Sequence, residues 1–310
     1  MPSAEIRSGI ASTGQTDIYY EDWGNPAHPP VLLIMGLSAQ MIYWPDSLMQ
    51  SLVDAGYRAI RFDNRDIGLS SKFPSRQRYN MTTSMIRSSL GLSIEAPYTL
   101  DDMADDTWGL INHLQLQQLH LVGISMGGMI SQILAARYPD RIQSLCLLMT
   151  SPLSPGLFPP SPSMLWTMLS GGFGGRKRQG IGRPHPEDIA DFLTRLQGRH
   201  YRTDKNQLVT MARRSLDRSY HPAGVMRQTL AVLATANLSP RIRTIQCPSL
   251  IVHGRDDPLV PWWAGWRISR LIHGAQFKLV RGLGHDLPIS FLPELSSWMV
   301  DIFRQADAGA

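Results

Sequence analysis

A hydroxyl, a carboxylate and an imidazole each occur in this 310-residue chain where a strand-like run gives way to a turn. The sharpest case is Gly123-Ile124-Ser125-Met126-Gly127, which follows the apolar run from Leu119 to Val122 and leads into a segment of helical character, Ser131 to Tyr138. Strand, sharp turn and helix in that order form the context that exposes a nucleophilic serine. The turning residue is held in a strained conformation, and glycines two positions either side let strand and helix close on each other. Ser125 is therefore the candidate nucleophile. Gly-x-Ser-x-Gly alone occurs by chance in many chains, and a serine hydroxyl is a poor nucleophile at its own pKa, so the reading depends on finding a base and an acid elsewhere.

The base is expected at His285, in the turn Gly284-His285-Asp286-Leu287-Pro288 that follows a strand-like run. Of its rivals, His253 terminates a strand and precedes the acid in sequence, so it reads as structural, and His273 lies at a helix end. The acid comes from Arg255-Asp256-Asp257-Pro258, where Asp257 is preferred to Asp256. Asp286 is acidic too, but a sequence neighbour on a tight turn usually points away from the adjacent ring. An acyl-transfer intermediate also needs donors for its oxyanion. The backbone N–H of Met126 follows the nucleophile directly, and Gly36 lets the chain turn so that Leu37 offers a second N–H.

These groups need a scaffold that brings distant loops together. Val31 to Gly36 is a continuous apolar run, as expected of a strand buried on both faces of a parallel sheet; Asp17 to Trp23, Tyr57 to Phe62, Leu119 to Gly123, Ile142 to Met149, Ser249 to Gly254 and Gln276 to Val280 also read as strands. Helical spacing occupies Ser47 to Ala55, Thr99 to Leu114 with Thr99 as a cap, and roughly Leu292 to Phe303. Alternating strands and helices predict a doubly wound α/β fold, in which ligands sit beyond the carboxyl ends of the strands. Ser125, Asp257 and His285 each follow such an end.

Between Ser151 and Pro240 the alternation stops. A stretch rich in Pro, Ser and Gly is followed by helical patterns at 186–196, 206–216 and 222–235 with no strand between them. This predicts a first part of the core at 1–151, a helical cap or lid at 152–240 and a second part of the core at 241–310. The apolar stretch Met164 to Leu169 either lines a substrate channel through Trp166 and Met168 or packs on the body; Met35 and Met126 would add apolar surface near the nucleophile. The polar turn Asp63 to Ser70 reads as a solvated, mutually paired connector, with a binding site as the alternative.

The formal charge is +5, with a pI near 9.4, but twelve Lys and Arg against five Asp and Glu in the inserted region give that region +7 and leave −2 elsewhere. A local excess of this kind reads as a solvated basic face, with attraction for anionic substrates as the alternative, and not as a nucleic-acid surface. No run approaches the roughly 20 apolar residues that span a bilayer, and Met1 to Ile10 has no signal-peptide core, so a cytoplasmic location without membrane contact is expected. Cys146 and Cys247 lie beside apolar runs and read as buried thiols. No metal or cofactor is expected.

The motifs at 34–37, 61–70, 123–129 and 284–288 together resemble the α/β-hydrolase superfamily, in its serine branch close to bacterial aclacinomycin methylesterase-like enzymes. The resemblance covers Tyr19 to Phe303 and implies the same triad, with the family's aspartate falling on Asp257 and with a cap between the sixth and seventh strands. Many relatives carry His-Gly where this chain has Met35-Gly36, a departure that leaves the backbone donor intact. An aspartate at the elbow would imply a dehalogenase or epoxide hydrolase; Ser125 implies a carboxylesterase acting on a small-molecule ester. Thioesterase, carbon-carbon hydrolase, perhydrolase, acyltransferase and a non-catalytic ligand-binding role remain alternatives.

Overall fold

The computed structural model describes residues 4–74, 79–89, 91–154 and 183–309. Eight strands form one sheet in the order β1-β2-β4-β3-β5-β6-β7-β8: β1 (Ile6–Ser12), β2 (Asp17–Trp23), β3 (Pro30–Ile34), β4 (Arg58–Phe62), β5 (Leu119–Ile124), β6 (Ile142–Leu148), β7 (Ser249–Gly254) and β8 (Gln276–Val280). The first two strands run antiparallel to their neighbours, and β4 through β8 pair in parallel.

The apolar runs become central strands because both faces are covered. Along β3, Leu32 and Ile34 join the core beneath α3 (Leu100–His113), α4 (Met126–Arg137) and α9 (Trp262–Leu271). Val31 and Leu33 face the opposite core, built on α1 (Asp46–Asp54) and α10 (Leu292–Asp307). The same pleat sends Leu121 one way and Val122 the other, and likewise Ile251 and Val252. Each such side chain contributes about 1.5 to 3 kcal/mol on leaving water. Thr99 caps α3 through a capping box with Asp102.

Two elements depart from the expected pattern. Strand β1 has no continuous apolar signature because it is an edge strand, with Ile6 and Ile10 exposed. Helix α4 begins at Met126, five residues earlier than its helical character suggests, because Gly127 and Gly128 lie inside it.

A larger correction concerns Asp63 to Ser70, whose charged side chains are paired but not solvated. Asp63 and Asp66 are fully buried, and Asn64, Arg65 and Ser70 nearly so. Asp63 accepts from the backbone of Met41 and Leu69 and pairs with Arg218 at 2.6 Å. Asp66 accepts two hydrogen bonds from Arg227, one from Tyr98 and one from the Phe73 backbone. Burial pushes the Asp66 carboxyl up, but these donors outweigh it and hold the carboxyl below its ordinary range. Arg65 pairs with Asp106. Removing one member of such a buried pair typically costs about 3 to 5 kcal/mol because its partner is left uncompensated.

Arg218 and Arg227 belong to the insertion, so its basic excess is not wholly a solvated face. Between β6 and β7 the described chain is helical, comprising α5 (Pro186–Leu196), α6 (Lys205–Arg218), α7 (Pro222–Ala234) and the short α8 (Ser239–Ile242). Trp166 and Met168 lie outside the described residues. Among the described residues, no helix is long and apolar enough to cross a membrane.

Candidate active site

Ser125 sits at the end of β5 with φ 54° and ψ −121°, a conformation uncommon for a residue with a side chain. Its N–H donates to Leu148 O on β6 at 2.9 Å, and its carbonyl accepts from Thr150 Oγ at 2.6 Å, so sheet and neighbouring loop hold the turn on both sides. The sequence allows this crowding only through its glycines. A Cβ on Gly123 would fall on Ser131 and the Gly127 carbonyl, and one on Gly127 would fall on the carbonyl of Ile34. Ser125 is also the N-cap of α4, yet its side chain makes no capping bond. The hydroxyl is thereby left to other partners.

The β3 loop lies directly against this residue. A Cβ on Gly36 would be 3.1 Å from Ser125 Cβ and 3.7 Å from its Oγ. Asn64 donates to Met35 O at 2.9 Å, Ala39 donates to Gly36 O at 3.4 Å, and the Ser38 N–H donates to Gln228 of α7 at 3.0 Å. The Leu37 N–H lies between these fixed points, and the Met126 N–H opens α4, where backbone donors have no partner within the helix. The Met126 side chain itself is packed in the core, so it adds no apolar surface to the cavity, whereas Met35 does line it.

From the other end of the sheet come the acid and the histidine. His285 Nδ1 is 2.7 Å from Asp257 Oδ2. The second oxygen, Oδ1, accepts from the Leu259 and Val260 backbones at 2.8 Å each. Burial pushes the Asp257 carboxyl up, but the charge and hydrogen bond of His285, with a further contribution from His253, hold it at about 2. The preferred acid is thus joined to the preferred base, while Asp256 instead faces Arg199 at 3.6 Å. The His285 backbone is also held from the insertion, its N–H donating to Leu196 O at 2.7 Å.

His253 has a closer relation to the acid than a strand-end histidine suggests. Its Nε2 lies 3.4 Å from Asp257 Oδ2 and 3.0 Å from the Val260 carbonyl. Asp286 is the group that reasoning from the turn missed. Both its oxygens are shielded from solvent without a hydrogen-bond partner among the described residues, and burial raises its carboxyl to about 7 against the opposing effect of His285. Its adjacency to His285 was the only signal, and adjacency does not specify burial.

Ser125, His285 and Asp286 line one cavity of about 970 Å3 together with Met35, Leu37 and residues of the inserted helices such as Phe192 and Met226. The arrangement can do nucleophilic chemistry on a bulky, largely apolar molecule, at the carboxyl ends of the strands where α/β folds bind ligands.

Comparison with known proteins agrees with this architecture. The sequence profile of the alpha/beta hydrolase fold family matches residues 29–291. Rhodomycin D methylesterase DnrP of Streptomyces peucetius is 26% identical over 304 residues, covering 91% of this chain and 93% of its own. Non-heme chloroperoxidase CPO-A1 of Kitasatospora aureofaciens is 26% identical over 309 residues, covering 93% of each chain. Among solved structures, the enol-lactonase from Burkholderia xenovorans LB400 superimposes with a TM-score of 0.72 at 21% identity, covering 96% of this chain and all of its own. The chain belongs to the α/β-hydrolase family, and its relatives include methylesterases.

Proposed function

We propose that this hydrolase is a carboxylic ester hydrolase acting through a covalent acyl-enzyme on Ser125. The observation that carries the reading is the union, at one cavity, of an elbow serine whose hydroxyl is not spent on capping its helix and a histidine bonded through Nδ1 to a buried ionised carboxylate. With Nδ1 engaged by Asp257, Nε2 is the nitrogen that accepts the Ser125 proton as Oγ attacks the ester carbonyl carbon. The N–H groups of Leu37 and Met126 donate to the resulting oxyanion, each contributing on the order of 2.7 to 4 kcal/mol to the barrier reduction. Collapse of the intermediate breaks the bond to the alcohol oxygen, which leaves with the proton held by His285. Water then enters, gives its proton to His285 and releases the carboxylic acid as Ser125 recovers its own proton. No metal or cofactor takes part in these steps.

The insertion acts as a cap that walls the cavity, and a volume of about 970 Å3 suits a bulky acyl part. Likeness to a protein named a methylesterase supports a methyl ester of a large acid as the substrate class. Likeness to one named a non-heme chloroperoxidase supports perhydrolysis as a second reading, in which peroxide replaces water at the acyl-enzyme.

The test is hydrolysis of p-nitrophenyl esters and of bulky methyl esters by the wild type beside Ser125→Ala, with a chelator present, and repeated with hydrogen peroxide. Turnover lost in the variant, with covalent labelling of the wild type by a fluorophosphonate, is the expected result. Turnover surviving in Ser125→Ala would overturn the mechanism, and peracid formation exceeding hydrolysis would favour the second reading.

A further inference from the structure

Gln228 is a neutral side chain with no access to solvent, carried on α7 of the insertion at the interface with two core loops. Its Oε1 accepts the Ser38 N–H at 3.0 Å, and its Nε2 donates to the Arg65 carbonyl at 2.9 Å. A single amide therefore bridges the loop after β3 and the loop after β4. Arg227, the preceding residue, fixes α7 to the second of these loops through Asp66.

The position of the first contact matters most. Ser38 is held at φ 64°, in the left-handed region that a serine seldom occupies, and its peptide follows Leu37 directly. Without Gln228 the Ser38 N–H would lose a buried acceptor, and the peptide would be free to rotate toward a less strained conformation. Gly36, which abuts Ser125, supplies little resistance to such a rotation because it has no side chain. On the near side, Asn64 anchors the Met35 carbonyl, and the Gly36 carbonyl, which shares a peptide plane with the Leu37 N–H, accepts a long 3.4 Å bond from Ala39, a residue of the same loop just beyond Ser38. Orientation of the Leu37 N–H thus depends on a clamp with one jaw in the core and the other in the insertion.

We propose that Gln228 is a positioning residue for catalysis. It aims the Leu37 N–H at the developing oxyanion and makes the competence of Ser125 depend on how α7 is seated. The inference rests on the serine-hydrolase reading above, and it assigns to the insertion a part in the chemical step as well as in walling the cavity. Gln228 touches neither substrate nor reacting atoms, so its loss should leave ground-state binding largely intact and weaken only what resembles the tetrahedral intermediate.

The experiment compares wild type, Gln228→Met and Gln228→Glu on a p-nitrophenyl ester, with affinity for a trifluoromethyl ketone, which forms a tetrahedral adduct with a catalytic serine, as the second readout. In Gln228→Met, kcat is expected to fall on the order of ten- to a hundred-fold with KM little changed, and affinity for the ketone to fall in parallel. Gln228→Glu recovers most of the loss, because a buried neutral carboxyl can accept at one oxygen and donate at the other. A role confined to stability would instead lower the thermal midpoint and leave kcat and ketone affinity unchanged in the folded fraction, which would overturn the proposal. If Gln228→Met does not fold, Gln228→Asn, one methylene too short to bridge both loops, is read by the same two criteria. Turnover persisting in Ser125→Ala would remove the serine mechanism and this inference with it, whereas a folded Gln228 variant of wild-type kcat removes only the inference.

Discussion

Two carboxylates lie beside His285 in the same corner of the molecule, and their surroundings push them in opposite directions from the ordinary carboxylate value. The Asp257 side chain is fully buried and its carboxyl is held down at about 2, while both Asp286 oxygens are shielded from solvent and that carboxyl is raised to about 7. Burial acts in the same direction on both. Asp257 receives two backbone N–H groups and two imidazoles, whereas among the described residues Asp286 receives no hydrogen bond at either oxygen. Partners, and not depth, decide which carboxyl can orient a histidine.

The most direct way to break the comparison is to remove the favoured member. Asp257→Asn is expected to lower kcat by about 10⁴-fold, since an amide in this position can present its N–H to Nδ1 and favour the wrong tautomer of His285. A smaller but oppositely signed effect is expected at the other carboxyl, measured as stability against pH. The folded value of Asp286, about 7, lies above the ordinary carboxylate value near 4, so the folded state binds the extra proton and stability falls as pH rises from about 4 to about 7. Asp286→Asn removes that loss and should be more stable than wild type at pH 8 by a few kcal/mol, with the difference vanishing toward pH 4. Urea denaturation at the two pH values checks it, and equal differences at both would contradict the raised carboxyl.

Asp257 sharpens the comparison from the acid side. Because its folded value is depressed, its contribution to stability is present above about pH 4 and is lost as pH falls toward about 2. Wild type should show this extra acid-induced loss and Asp257→Asn should not. Least in magnitude is the effect of His253. Replacing it by Gln removes a ring 3.4 Å from Asp257 while leaving the His285 bond in place, so kcat should fall less than about tenfold. A loss as large as that of Asp257→Asn would show that His253 is indispensable to the acid's position.

The contrast also marks how far the sequence could be read. Central strands were legible because residues buried on two faces are apolar without interruption, and the elbow because its glycines admit a backbone approach no side chain would allow. Asp257 was preferred to Asp256, and the family resemblance placed the acid at the same residue. What stayed hidden depends on partners far along the chain. Asp63 and Asp66 looked solvated because polar turns usually are, and the arginines that neutralise them stand in helices more than 150 residues later. Gln228 is an ordinary helix residue until α7 is placed on the β3 loop. Asp286 carries no mark in sequence to say that it lacks a partner. Edge strand β1 was missed for a simpler reason, since it covers little and its isoleucines face water.

The delayed arrival of those arginines has a consequence for biosynthesis. Asp66 is separated from Arg227 by 161 residues, so at 5–20 residues per second a ribosome needs roughly 10 to 30 s to deliver the partner after the aspartate has emerged. Throughout that interval the nascent β4 loop carries charges that cannot enter the interior, and the loops around Ser125 have no Gln228 to brace them. The amino-terminal half should therefore remain hydrated at this edge until α7 has been made, with Asp257 and His285 still to follow. Only a chain grown past the insertion can neutralise these aspartates and close the interior over them.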